Sequence, residues 1–227
     1  MHGTHDSDSP HPGTRPAYHR TRNPVTPSGR GFRAKYFSRK NQRMVRCESL
    51  LEFDALFLFE FARGVRTFEE QPVTIEYSLN GRSRRYTPDF GVDWADGRRW
   101  FVEVKPSEKL AETQTVEKFE VLKLWFSSRG HSLVILSELQ IRRPIRLRQI
   151  RELLRDFAAE KAVKADLRFH STTAGLTFGE MLAAGADEKL IRGLLANRLL
   201  ACDLDSVINH ETVIRPFEEA DDDALFL

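Results

Sequence analysis

The apolar and polar positions divide the chain into segments of different period. Residues 48–61 are apolar on nearly every side of a helix: after Glu48 and Ser49 come Leu50, Leu51, Phe53, Ala55, Leu56, Phe57, Leu58, Phe59 and Phe61, broken only by Glu52, Asp54 and Glu60. Such a stretch predicts a helix enclosed in a core, with Gly64 as its stop. The period then changes to two. Over 73–77, Val, Ile and Tyr alternate with Thr and Glu; Asn80 and Gly81 signal a tight hairpin, and a returning strand is predicted over 84–94. Pro88 inside that strand marks an edge position or a bulge. A third strand runs through Phe101 to Lys105 and stops at Pro106. Helical spacing returns over 111–129 through Val116, Phe119, Leu122, Leu124 and Trp125, with Gly130 as a stop. Residues 132–136 read as a further strand and 141–156 as a further helix. Helix, three meandering strands, helix and strand predict an α/β (α+β) fold, a mixed sheet flanked by helices.

Two end regions differ from this middle. The first thirty residues hold five of the ten prolines and four of the seven histidines, with almost no aliphatic side chains. They cannot bury enough surface to offset the entropy of ordering. Near residue 169 the pattern restarts: Thr177 opens a short helix, Gly185 breaks it, 187–196 forms a second, and 199–204 and 212–214 read as short strands. That is the outline of a small winged-helix-like module. The expected organisation is a basic, Pro/His-rich arm over 1–44, largely disordered or extended, a main domain over 45–164, and the module with an acidic tail over 165–227.

Charge sharpens the division. The net charge is only +2, yet residues 1–46 hold ten Lys or Arg against two Asp, and residues 211–227 hold six acids against one Arg. A basic arm suits phosphates, and an acidic end is kept from them or offered to a basic partner. Arg33, Lys35, Arg39, Lys40 and Arg43 are the expected DNA contacts. The arginine run over 142–155 reads as a solvated helix face. Cys47 and Cys202 lack zinc or disulfide-framework spacing. No apolar run is long enough to span a bilayer, and the start lacks a secretory h-region, so a reducing cytoplasm is expected.

Strand alternation sends Glu103 and Lys105 to one face and Trp100, Val102 and Val104 to the other. If Asp89 joins them from the neighbouring strand, two carboxylates converge where a hard divalent cation relieves their repulsion. That depends on the turn. A two-residue loop would send Asp89 and Glu103 to opposite faces, whereas a three-residue loop, Ala95 to Gly97 with Gly97 left-handed, pairs them. Glu52 shares a helical face with Ala55, Leu56 and Phe59 and looks inward, where an unpaired charge is costly. The expected set is Asp89, Glu103 and the Val104 carbonyl around Mg²⁺, with Mn²⁺ as an alternative and Glu52 completing the shell. Lys105 would position a water or stabilise developing charge.

Four blocks occur in order: Ser49 to Glu52, Glu70 to Val73, Tyr86 to Phe90, and Val102 to Pro106. Together, over roughly 45–140 and loosely on to Thr115–Glu120, they resemble the N-terminal catalytic domain of TnsA, the endonuclease subunit of a heteromeric transposase. TnsA belongs to the PD-(D/E)xK, restriction-endonuclease-like superfamily. The resemblance implies a nuclease domain over 45–164, with the catalytic acid at Glu52, the strand aspartate at Asp89 and the lysine at Lys105. The position two before that lysine is glutamine or an acid in the family, and here it is Glu103. The resemblance also implies cleavage of the 5′ (non-transferred) strand at transposon ends. The implied partners are DNA, a TnsB-like DDE transposase and a TnsC-like ATPase regulator, in the bacterial cytoplasm and on nucleoid DNA. A stand-alone nuclease of restriction or repair shares the site. So does a non-catalytic DNA- or protein-binding subunit with a vestigial core.

Overall fold

The computed structural model describes residues 32–157 and 175–227. The disorder expected for the first thirty residues lies outside the described residues. The first half comprises β1 (Ala34–Ser38), β2 (Arg43–Cys47), α1 (Leu50–Phe61), β3 (Val65–Glu70), β4 (Ile75–Leu79), β5 (Arg82–Tyr86), β6 (Phe90–Trp94) and β7 (Arg99–Val104). There follow α2 (Ser107–Leu110), α3 (Thr113–Ser127), β8 (Ser132–Leu136), α4 (Glu138–Ile141) and α5 (Pro144–Arg155). After the break come β9 (Leu176–Thr177), α6 (Phe178–Ala183), α7 (Glu188–Ala196), β10 (Leu200–Ala201), β11 (Val213–Pro216), α8 (Ala220–Asp223) and a 3₁₀ turn, Ala224–Phe226.

The central sheet has the order β3-β6-β7-β8, antiparallel except for the parallel pair β7 and β8. It is a mixed sheet flanked by helices, consistent with the restriction-endonuclease-like fold. Alternation along β7 divides its side chains between two cores. Val102 and Val104 join Phe59, Phe68, Phe90 and Ile150 in the larger cluster, which α1, α5, α6 and α7 cover. Phe101 joins Tyr77, Tyr86, Phe119, Leu122 and Phe126 in the smaller one, under α3 and the β4–β5 ribbon. Phe59 is fully buried. Truncating a core phenylalanine of this kind to alanine costs about 3–5 kcal/mol.

Several expectations change. The strand predicted over 84–94 is two strands: β5 pairs with β4 in a separate ribbon, and β6 belongs to the central sheet. Pro88 sits at the crossover, where its missing N–H costs no ladder bond. The third antiparallel strand of the central sheet is β3, which the alternation did not disclose. Its register slips between Val65 and Thr67, so its buried positions are not evenly spaced. Residues 34–44, expected within an extended arm, join residues 45–47 in a hairpin on α1 instead.

Gly64 does not adopt the left-handed stop conformation; α1 ends at Ala62 with ψ 114°. Lys40 provides the cap, its ammonium donating to the carbonyls of Ala62 and, at 2.6 Å, Val65. What Gly64 provides is room, since a Cβ there would lie 3.2 Å from both Asp222 Oδ2 and the Trp94 ring.

The arginine run over 142–155 is in large part ion-paired, while Arg148 and Arg155 stay exposed as expected of a solvated face. Arg142 and Arg151 close on the buried Asp54 of α1. Arg143 and Arg146 hold Asp205 at 3.0 and 2.6 Å, and Arg192 of α7 returns to Asp156 at 2.7 Å. The acidic tail is likewise engaged within the chain. Asp221 pairs with Arg215 and Asp223 with Arg98, while Asp222 is buried against Arg198. Cys47 and Cys202 are free thiols. Among the described residues no helix is long and apolar enough to cross a membrane.

Candidate active site

Helix α1 begins where Ser49 accepts the Glu52 N–H at 3.0 Å, an ordinary N-cap. Glu52 is then the third helical residue, at the positive end of the helix dipole, and its carboxylate accepts the Glu48 N–H at 2.8 Å. Burial is the main influence on Glu52 and pushes its carboxyl pKa up, against the pull of the Glu48 N–H and the Ser49 hydroxyl on the carboxylate.

The turn that decides the register behaves as the spacing predicts. The Trp94 N–H donates to Arg98 O, the Gly97 N–H donates to Trp94 O, and Gly97 has φ +91°. Asp93 therefore pairs with Arg99 and Phe90 with Val102, and the same register sets Asp89 opposite Glu103. Asp89 stands on the crossover after Pro88. Its Oδ2 accepts the Val104 N–H at 2.7 Å, and its carbonyl accepts the Gln71 N–H at 2.8 Å. Lys105 is fixed from below: its N–H donates to Leu136 O at 2.9 Å, and the next turn is tied down as the Ser107 N–H and hydroxyl donate to Glu138.

Glu103 is 8% exposed and accepts the Tyr86 hydroxyl at 2.8 Å on Oε2, while its Oε1 lies 4.0 Å from Lys105 Nζ. Burial, followed by the Glu103 carboxylate, drives the Tyr86 phenol far above its ordinary pKa, so it acts as a donor. Asp89 is raised well above the usual carboxylate range. Burial is the largest cause, then repulsion from Glu103 and Glu52, with the Val104 N–H and Lys105 opposing. Glu52, Asp89 and Glu103 thus form one mutually repelling group, with Lys105 beside it.

A cation would relieve that repulsion. With Oδ2 and Oε2 engaged, Asp89 Oδ1 and Glu103 Oε1 are the open carboxylate oxygens of the pair. Among the described residues, no group of three His, Cys, Asp or Glu side chains is placed to hold a metal ion, so Glu52 is not brought into a ligand set with Asp89 and Glu103. Two carboxylates with a backbone carbonyl nearby suit Mg²⁺, which keeps several waters and takes further oxygens from a phosphate substrate, better than a structural zinc ion.

Three neighbours were not singled out by spacing. Tyr86 orients Glu103. Lys118 of α3 holds its ammonium 4.7 Å from the Tyr86 ring centre. Burial lowers its pKa, Glu103 and Asp89 oppose that, and Lys105 adds to it, which makes Lys118 a second cation of the same group. Gln71 has φ +46°, uncommon for a residue with a side chain, and its buried Oε1 has no hydrogen bond. The only sequence signal for these positions was their membership of the recurring blocks.

The expected DNA contacts separate. Lys40 caps α1 and is not available to a phosphate. Arg43 pairs with Glu70 at 2.8 Å, and Arg39 lies over the Phe157 ring at 4.9 Å. Lys35 stands exposed on the outer face of the β1–β2 hairpin, and Arg33 is partly buried just before β1.

Residues 63–138 match the family model described as TnsA-like endonuclease N terminal. The matched segment runs from the end of α1 through the central sheet to the start of α4 and includes Asp89, Glu103 and Lys105. It begins after Glu52, whose place in the site rests on geometry. No curated protein matches the chain.

Proposed function

From a segment that carries a TnsA-like endonuclease N-terminal domain, we propose that this chain is a metal-dependent DNA endonuclease of a transposase complex. It hydrolyses the 5′ (non-transferred) strand at transposon ends. The observation that carries the reading is the β6–β7 register, with Asp89 opposite Glu103 and bonded to the Val104 amide.

Asp89, Glu103 and the Val104 carbonyl would hold Mg²⁺ or Mn²⁺, with Glu52 near them at the helix terminus. When bound, such an ion polarises a phosphate oxygen and acidifies a water. Tyr86 keeps Glu103 aimed by its hydrogen bond. Lys105 sets its ammonium where negative charge grows on the phosphate as water adds to phosphorus and a P–O bond breaks. Closely packed carboxylates exclude a second anion, so the phosphate approaches from the lysine side.

The complementary strand is cut and joined by a TnsB-like DDE transposase, and a TnsC-like ATPase couples both to the target. Residues 176–216, two helices with a short three-stranded sheet, act as a winged-helix-like module within that assembly, in the bacterial cytoplasm on nucleoid DNA.

The test is cleavage of strand-labelled transposon-end duplex with Mg²⁺, with and without the DDE transposase. Asp89→Ala and Lys105→Ala should each abolish 5′-strand cutting and leave association with the partner intact. Unchanged cutting by both variants sinks the proposal. Full cutting without the partner would assign a stand-alone nuclease.

A further inference from the structure

The β4–β5 ribbon stands apart from the central sheet and reaches past the edge of the smaller core. Register pairs Ile75 with Tyr86, Tyr77 with Arg84 and Leu79 with Arg82 on one face, and Glu76 with Arg85 and Ser78 with Ser83 on the other. On the first face Ile75, Tyr77, Leu79 and Tyr86 are buried in the smaller core. Arg82 and Arg84, the rest of that row on β5, are exposed. The strand thus overhangs the core, and its alternate positions run Arg82, Arg84, Tyr86, ending at the hydroxyl that donates to Glu103 at 2.8 Å. The tip of the ribbon is fixed, because Asn80 and Gly81 both have positive φ, 53° and 72°, the two-residue geometry that matches strand twist.

The charges of the ribbon are sorted by face. Arg85, on the far face, is neutralised by Glu76 at 3.2 Å. Arg82 and Arg84 form no ion pair or hydrogen bond among the described residues. Lys118 of α3 continues their row: its ammonium lies 4.7 Å from the Tyr86 ring centre and 4.8 Å from that of Phe119, and it too has no ion pair or hydrogen bond among the described residues. Two ring faces hold a cation in place without occupying its N–H donors. Arginines on an edge strand can serve only to block pairing with another chain. That does not account for Lys118, which stands on a helix.

We propose that Arg82, Arg84 and Lys118 form the track that grips the DNA backbone next to the cleaved bond, with the β4–β5 ribbon laid along a groove of the duplex and the three cations on its phosphates. The inference rests on the endonuclease reading and extends it to where the substrate is held. The major groove admits a two-stranded ribbon, and phosphate contacts by cations supply sequence-independent affinity and fix register. Such a grip is needed here, because the carboxylates of Glu52, Asp89 and Glu103 repel the polyanion on which they act. The row leads straight to them through Tyr86.

The test is fluorescence anisotropy of the full chain on a short duplex of arbitrary sequence, without divalent cation, across a salt series. Arg82→Ala with Arg84→Ala should weaken binding on the order of tenfold and lower the slope of log affinity against log salt by about 2, roughly one per lost phosphate contact. Lys118→Gln should lower the slope by about 1 and Lys118→Arg should keep it, a pattern that a packing role over the two rings does not produce. Arg85→Ala, on the far face, should bind as the wild type does. The ribbon arginines are exposed, so their double variant should melt as the wild type does. If it does not, Arg84→Glu alone must weaken binding while Arg82→Lys with Arg84→Lys keeps the slope. Unchanged affinity and slope in the double variant overturns the inference, and aggregation of that variant would then assign the arginines to edge protection. An equal loss in Arg85→Ala overturns it as well. So does intact DNA binding with lost association to the DDE transposase, which would make the ribbon a protein contact. If the ribbon variants lose binding but wild-type protein never cuts labelled duplex, the endonuclease reading falls and the track stands. If cutting depends on Asp89 and the ribbon variants bind normally, the track alone falls.

Discussion

Tyr86 and Glu103 show how one residue carries two duties at this site. The ring is buried in the smaller core against Phe119 and Phe126, and the hydroxyl reaches Glu103 Oε2 at 2.8 Å. Tyr86→Phe keeps the ring and removes only the donor. The buried Glu103 oxygen then loses its partner, which costs about 1–3 kcal/mol in the metal-free protein. The expected result is a higher Mg²⁺ concentration for half-maximal cutting, with maximal cutting falling less than in Asp89→Ala. A metal titration of cleavage rate checks it, and an unchanged midpoint would remove Tyr86 from the site. At this scale the sequence was informative about charge and silent about support. Asp89, Glu103 and Lys105 stand out as polar residues interrupting apolar strands. Tyr86 and Lys118 look like any ordinary strand or helix residue, because what distinguishes them is which neighbour they meet.

Among the elements, α1 depends on a side chain from outside it. Lys40 caps its C-terminal Ala62 carbonyl from the β1–β2 turn and ties it to Val65 of β3, and that turn is anchored in return by Glu60 of α1, which accepts the Ser38 hydroxyl at 2.8 Å and the Arg39 N–H at 2.9 Å. Burial lowers the Lys40 ammonium from 10.5 to about 8, with Glu60 and Asp222 opposing. Between those values the unfolded chain binds more protons than the folded one, so stability rises with pH through that window. The rise is on the order of 3 kcal/mol at most. Lys40→Met should flatten it, and urea melts taken from pH 8 upward measure the difference. A curve that keeps its slope in the variant assigns the effect to another group. Most elements were legible because their signals are local: the Asn80–Gly81 turn, Pro106 after β7, Gly130 after α3, and the loop ending at Gly97. The bulged β3 was not, nor was the hairpin of residues 34–47, whose basic residues hid an alternating Tyr36 and Val45.

Across the whole molecule, the C-terminal end closes onto the central domain. The Phe226 ring meets Phe59, Trp94 and Trp100 at 6.0, 5.9 and 5.4 Å. Asp222, 2% exposed, accepts the Arg63 and Gly64 N–H groups and faces the Arg198 guanidinium at 3.2 Å. Removing one partner of a buried pair leaves the other charge uncompensated, so Asp222→Ala should cost about 3–5 kcal/mol, read from equilibrium denaturation. A loss below about 1 kcal/mol, the range of exposed pairs, would show that water reaches this pair. Cutting per folded molecule should be unchanged, because neither residue touches the catalytic group.

The amino-acid sequence by itself determined the periods, the caps, the turn that sets Asp89 opposite Glu103, and therefore the outline of the site. All of these are local, settled within a few residues by sterics and hydrogen bonding. Only the tertiary structure decided that Lys40 supports a helix, that much of the arginine run over 142–155 and the acidic tail pair within the chain, and that Tyr86 holds Glu103. A charged or polar side chain carries no local mark of its partner, and its role is set by whichever group, often far away in sequence, the packed core brings within hydrogen-bonding distance.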